Sequence, residues 1–209
     1  MPRNIKLKKE LPKRGRPVDT TKRDDILRAA GELFTQNGFA QTSMDRIAQK
    51  AGMSKLTLYK RFKDKNMLFA SVIQNKCQQY IPDSLFDVFD QRPLRKALNI
   101  FGMGLFALVM SDEALNMYRM MAAEARHSPR LTQMFYDSGP KRVKALLGKK
   151  LRQQGVQNYE IKKDYYTSLL TGSDLHMRAL LNIGKKPRPS ELKRHVEQVT
   201  EFFIRGLKF

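Results

Sequence analysis

From residue 26 onward, apolar side chains recur at helical spacing. Ile26, Leu27, Ala30, Leu33 and Phe34 fall at i, i+1, i+4, i+7 and i+8, one stripe along a helix. Thr21 and Asp24 precede them at capping-box spacing, with Asp in place of the usual Glu. Asn37 and Gly38 should end this helix, because both tolerate the left-handed conformation found at helix termini. Two short helices are expected next. Ser43 caps a segment whose Ile47, Ala48 and Ala51 face inward and which Gly52 ends. Ser54 caps a second, with Leu58 and Phe62 four apart on the buried side. Asp64 then opens a longer helix through Met67, Leu68, Val72 and Ile73, running to about Pro82.

Beyond Pro82 the pattern stays helical, with breaks at Arg92-Pro93, Ser128-Pro129, Gly155 and the stretch Gly184 to Pro189. Ser190 is expected to cap a last helix carrying Leu192, Val196, Val199, Phe202, Phe203 and Leu207. No segment alternates apolar and polar residues as a half-buried strand would. The expected class is therefore all-α, about nine helices, with no internal repeat.

Charge sharpens the picture. The 209 residues carry 40 Lys+Arg against 20 Asp+Glu, a formal net charge of +20, which points to a polyanionic partner. Residues 1–75 hold 17 basic and 7 acidic side chains, a net of +10, so the excess is shared by both halves. No apolar run approaches the roughly 18 residues of a membrane span, and the N-terminus lacks the apolar core of an export signal. Cys77 is the only cysteine, which excludes an intrachain disulfide and a CxxC zinc site. A reducing cytoplasm is the expected compartment, with the protein associated with the nucleoid. No cofactor or metal is expected.

Two short helices joined by a tight Gly-containing turn form a helix-turn-helix, whose second helix enters the DNA major groove. Its first turns offer Lys55, Leu56, Thr57, Tyr59 and Lys60 opposite Leu58 and Phe62. Lys55 can donate to guanine or phosphate, and Leu56 or the Thr57 methyl can meet a thymine methyl. Tyr59 and Lys60 suit the phosphate backbone, which sets register. Thr42, Ser43 and Lys65 stand at helix starts, where free N–H groups favour an anion. A merely solvated polar face is the plainer alternative.

The stretch from Ile26 to Leu68 resembles the TetR/AcrR family of bacterial transcriptional regulators. The resemblance rests on Thr42, Ile47-Ala48, Ala51-Gly52, Thr57-Leu58-Tyr59, Phe62 and Lys65, while Leu56 replaces a glycine often found there. It implies backbone contacts for Thr42, Tyr59 and Lys65 and groove contacts for Lys55 and Thr57. Upstream, Lys13-Arg14-Gly15-Arg16-Pro17 resembles the core of an AT-hook, whose arginines (here Arg14 and Arg16) enter a narrow minor groove. A phosphate-binding tail is the alternative.

Further on, Tyr118-Arg119 through Arg126, Phe135 through Pro140, and Asp174 through Leu181 resemble the C-terminal domain of the AefR-like branch. That resemblance implies a ligand-sensing half that dimerises through its last two long helices, here about 158–183 and 190–207. Candidate dimer residues are Tyr165, Leu169, Gly172, Leu180, Val199, Phe203 and Leu207, although the same stripe serves equally as intrachain core. Met103, Phe106, Met110, Tyr118, Met121, Phe135 and Tyr136 offer soft apolar surface for a hydrophobic ligand, or ordinary core. Asp174, His176 and Arg178 stand on an otherwise apolar helix: either His176 is a polar ligand anchor, or Asp174 and Arg178 form a buried pair that orients a neighbouring helix. The expected organisation is a flexible basic arm over 1–18, a helix-turn-helix domain over 19–63 and a ligand-binding and dimerisation domain over 64–209. The implied partners are operator DNA, a second copy of the chain and a small-molecule inducer.

Two other classes compete with this one, an enzyme and a DNA-coating protein. His127, His176 and His195 lack metal-ligand spacing, and the two S-x-x-K matches at Ser138 and Ser190 are short, so an enzyme is not expected. An architectural protein that coats DNA without sequence preference fits the charge but leaves the large apolar C-terminal half without a purpose. Deleting residues 1–17 should weaken operator binding and flatten its salt dependence, each lost phosphate contact lowering the log–log slope by about 0.9. An unchanged slope would remove the arm from the interface.

Overall fold

The computed structural model describes residues 20–85 and 92–207, so the basic arm with Arg14 and Arg16 lies outside the described residues. Among them are eleven helices and no strand. They are α1 (Thr20–Gln41), α2 (Met44–Lys50), α3 (Lys55–Arg61), α4 (Lys65–Tyr80), α5 (Leu94–Val109), α6 (Asp112–Glu124), α7 (Pro129–Ser138), α8 (Pro140–Gln153), α9 (Tyr159–Thr171), α10 (Asp174–Leu180) and α11 (Pro189–Gly206). No single one is long and apolar enough to cross a membrane.

Capping side chains set five of these starts. The oxygens of Ser43, Ser54 and Asp64 accept from the backbone N–H of Arg46, Thr57 and Met67. Each satisfies a donor that the first helical turn leaves without a partner. Gly38 adopts φ 78° and interrupts α1 where the sequence places its end. Elsewhere the periodicity runs across breaks that it cannot register. Ser111 caps α6 by accepting from Ala114 N–H, dividing the helical stretch between the breaks at Pro93 and Pro129. Pro140, which lacks an N–H, starts α8 afresh after Gly139. Ser173 caps α10, so the expected long helix over 158–183 is two helices. Ser190 does not cap the last helix. Arg188 occupies that position, and the Glu191 carboxylate accepts from its N–H at 2.7 Å. Thr21 likewise falls inside α1 rather than ahead of it.

Two apolar cores result. The first joins α1 to α4 around Phe34, Phe39 and Phe69, whose ring centroids lie 5.3–5.4 Å apart, and it extends into Met117, Met121 and Leu131 of α6 and α7. The second lies among α5, α8, α9 and α11, around Phe101, Phe106, Leu147, Tyr166, Leu170, Val196 and Phe203. Tyr166 is fully buried, yet its hydroxyl is satisfied. It donates to Leu98 O at 2.8 Å and lies 2.9 Å from Thr200 Oγ1.

Gly102 makes room for that hydroxyl: a Cβ there would meet Tyr166 Oη at 2.5 Å and Val196 Cγ1 at 2.8 Å. Gly102→Ala should therefore destabilise the fold by about 1–3 kcal/mol, the usual range for overpacking a core. Part of that penalty should vanish in a Tyr166→Phe background, which chemical denaturation of the four variants in a double-mutant cycle would measure. Equal penalties in both backgrounds would contradict the packing described.

Candidate nucleic-acid interface and apolar cavity

α2 and α3 are held at a fixed angle by the turn between them. Gly52 takes φ 64°, a left-handed conformation that other side chains adopt at a cost, and Met53 N–H donates back to Ala48 O at 2.9 Å. Leu58 and Phe62 sink one side of α3 into the first core. The opposite side is necessarily outward. Leu56 is 66% exposed, beside exposed Lys55, Tyr59 and Lys60. A large apolar side chain left so open beside cations fits a surface that will be covered. Lys55 Nζ meets Asp45 Oδ2 of α2 at 2.6 Å, and the Thr57 hydroxyl lies 2.9 Å from Ser54 Oγ. The sequence pattern does not reveal Asp45, since a pair formed across a turn leaves no periodic signal.

Two expected backbone contacts have other duties. Thr42 is 1% exposed, and its hydroxyl lies within bonding distance of Leu33 O and Gly38 O at 3.1 and 2.8 Å. The Lys65 ammonium donates to the carbonyls of Phe39, Ala40 and Thr42 at 2.8, 3.3 and 2.9 Å and sits over the Phe39 ring. An ammonium has three N–H donors, so all are engaged. Desolvation lowers its pKa from the ordinary lysine value. Both residues brace the corner where α1 ends. Ser43 remains exposed at the start of α2.

Beneath α1 lies a cavity of about 250 Å³, walled mainly by apolar atoms. Leu27 and Gly31 of α1, Val72 and Cys77 of α4, Leu105 and Val109 of α5, and Met117 of α6 contribute to it. Of the eight expected ligand residues, Tyr118 and Phe135 line it, their rings edge-to-face at 5.3 Å. The others do not. Phe106 is fully buried in the second core against His195, and Met103 and Met110 pack on that core. Met121 belongs to the first core, and Tyr136 is exposed. Helical spacing alone does not tell which side of α5 or α6 meets empty space.

His176 stands one layer behind the cavity wall. Its Nδ1 is 2.7 Å from Thr171 O, its ring is edge-to-face with Tyr118, and burial lowers its pKa. Asp174 and Arg178 form an exposed 3.9 Å pair rather than a buried one. Burial, and secondarily the nearby Cys77, pushes the Tyr118 phenol up to about 12. Burial likewise raises the Cys77 thiol to about 11, leaving little reactive thiolate. Among the described residues no group of three or more His, Cys, Asp or Glu is placed to hold a metal ion.

The expected dimer residues divide by face. Tyr165 and Leu169 of α9 are exposed, as is Gly172. Phe203 is 5% exposed, its ring 5.0 Å from Tyr166, so it is core; its neighbour Phe202, 68% exposed, points outward instead. Leu180, Val199 and Leu207 are half-buried. Met177, Leu181 and Ile183 add exposed apolar surface outside the expected set.

An outward recognition helix on a three-helix head, carried by a helical body with an apolar cavity, defines the helix-turn-helix class of ligand-sensing regulators. Residues 26–72 match the family model described as bacterial regulatory proteins, tetR family. Residues 96–206 match that described as the AefR-like transcriptional repressor C-terminal domain. A fatty acid metabolism regulator protein of Bacillus subtilis is 29% identical over 90 residues, covering 43% of this chain and 46% of that protein, so the match spans under half of that relative. The crystal structure of a TetR-family regulator from Mesorhizobium loti is 27% identical and superposes with a TM-score of 0.72, covering 91% of this chain and 98% of that one. The flavonoid-responsive regulator FrrA is similar too, at 28% identity and a TM-score of 0.64, covering 90% and 97%. The chain belongs to the TetR family of transcriptional regulators, with a DNA-binding helix-turn-helix domain and an AefR-like ligand-binding C-terminal domain. Such regulators are generally not enzymes.

The geometry separates two lysines by role. Lys60→Ala should lower the log–log salt slope of DNA binding by about 0.9 while leaving thermal stability nearly unchanged. Lys65→Met should do the reverse: it takes the charged donor away from three carbonyls at the end of α1, costing about 1.5–3 kcal/mol of stability. Thermal melts and salt titrations of both variants would check this, and exchanged phenotypes would refute the assignment.

Proposed function

We propose that this protein is a homodimeric, sequence-specific repressor that leaves its operator when a small hydrophobic ligand enters the cavity. The observation that carries the reading is α3, with Leu58 and Phe62 sunk and Lys55, Leu56, Tyr59 and Lys60 outward. Thr57 at the helix start and Ser43 on α2 complete the groove and backbone contacts. The functional division follows 19–63 as reader and 64–209 as sensor and dimeriser, with the basic arm of 1–18, Arg14 and Arg16 included, extending the contact. A dimer is required because recognition helices about 34 Å apart read successive major grooves. Tyr165, Leu169 and Phe202 supply an apolar face for the partner copy.

Repression accords with the description of the matched C-terminal family. An apolar inducer accords with the cavity walls and with relatives named for fatty acid metabolism and for flavonoids. The ligand acts by population shift: it favours the dimer state whose reading heads are wrongly spaced, and weakens DNA binding by its differential affinity. The protein works in the bacterial cytoplasm, on the nucleoid, and without catalysis.

Binding to operator and scrambled duplexes at physiological salt tests this against DNA coating. A ratio of about 10³ or more is expected, and a ratio near one would favour the coating reading. Light scattering should give the mass of a dimer for the free protein and a monomer for Phe202→Asp; a lone subunit in the wild type would sink the proposal.

A further inference from the structure

Four acidic and basic pairs touch the cavity, but among the described pairs only Lys76–Glu113 has both members in its wall. Arg28, Glu32 and Lys144 turn to Asp25, Lys50 and Asp164, which lie outside it. Lys76 Nζ of α4 donates to Glu113 Oε1 of α6 at 3.0 Å, and the ammonium also lies 5.7 Å from the centre of the Tyr80 ring. The two partners are unequally held. The Lys76 side chain is 29% exposed and Glu113 62%, so a released Glu113 turns readily to water, while Lys76, the less exposed partner, stays beside the Tyr80 ring at the cavity wall. The protein thus already places a carboxylate against a cation at the edge of an apolar chamber.

We infer that the cavity takes an amphiphilic carboxylate, an apolar chain or ring system ending in a carboxylate that replaces Glu113 on Lys76. This rests on the proposed ligand-released regulator and adds the chemistry of the ligand. The exchange has a mechanical consequence. Lys76–Glu113 ties the helix leaving the DNA-reading head to the first turn of α6, and the ligand opens that tie while its apolar part presses on Leu27 and Gly31 of α1.

Calorimetric titration of the full-length protein with decanoate, and separately with decanol, tests the charge apart from the chamber. Decanoate should bind the wild type at least tenfold more tightly than decanol and release operator DNA. Lys76→Met, which keeps the apolar stem, should abolish that preference while still binding decanol, which also shows that its cavity is folded. Glu113→Gln should bind decanoate more tightly, having lost the competing carboxylate. Equal binding of both probes by the wild type, or a decanoate preference that survives Lys76→Met, overturns the carboxylate inference and leaves the hydrophobic-ligand reading standing. Binding of neither probe overturns both.

Discussion

The structure turns on one helix that has two sets of neighbours. α1 packs Ile26, Ala30, Leu33 and Phe34 into the core that supports α2, α3 and α4, while Leu27 and Gly31 form part of the cavity wall. The core of the reading head does not close on itself. It continues into Met117, Met121 and Leu131 of α6 and α7. Close-packed interiors transmit displacement rather than absorb it. Anything that repositions α6 therefore presses on the body of the head, and no flexible linker intervenes among these contacts.

The corner at the end of α1 keeps that head rigid. Gly38 breaks the regular helix, and side chains from nearby elements reach the carbonyls on either side of it. Carbonyls drawn out of full contact with water still need donors. Thr42 and Lys65 stand beside five of these carbonyls, and Lys65 spans from the start of α4 to reach them. These are two of the residues on which the family resemblance rests. A pattern shared by a family records what its members need to fold as well as what they touch, and here both side chains serve the fold.

Charge acts at two scales. The +20 excess attracts DNA in general and favours no sequence. The pairs Lys55–Asp45 and Lys76–Glu113 are local, and each joins two helices whose relative position matters. Exposed pairs contribute little to stability, about 0–1 kcal/mol. On the proposed reading their value lies in being exchangeable, a phosphate or a ligand carboxylate taking the place of the acidic partner.

Local chemistry determined the helical class, the caps at Ser43, Ser54 and Asp64, the Gly38 and Gly52 turns, and which side of α3 faces outward. Each depends on residues within a few positions of one another, and the buried side of so short a helix is marked by Leu58 and Phe62 alone. Tertiary packing decided the rest. Phe202 and Phe203 are identical neighbours, yet one is core and one is surface, because only Phe203 falls against Tyr166. Met121 and Tyr118 share a helix, yet only Tyr118 meets the cavity. Which apolar residue fills space and which borders a void depends on what arrives from distant segments, and periodicity along one helix carries no record of that.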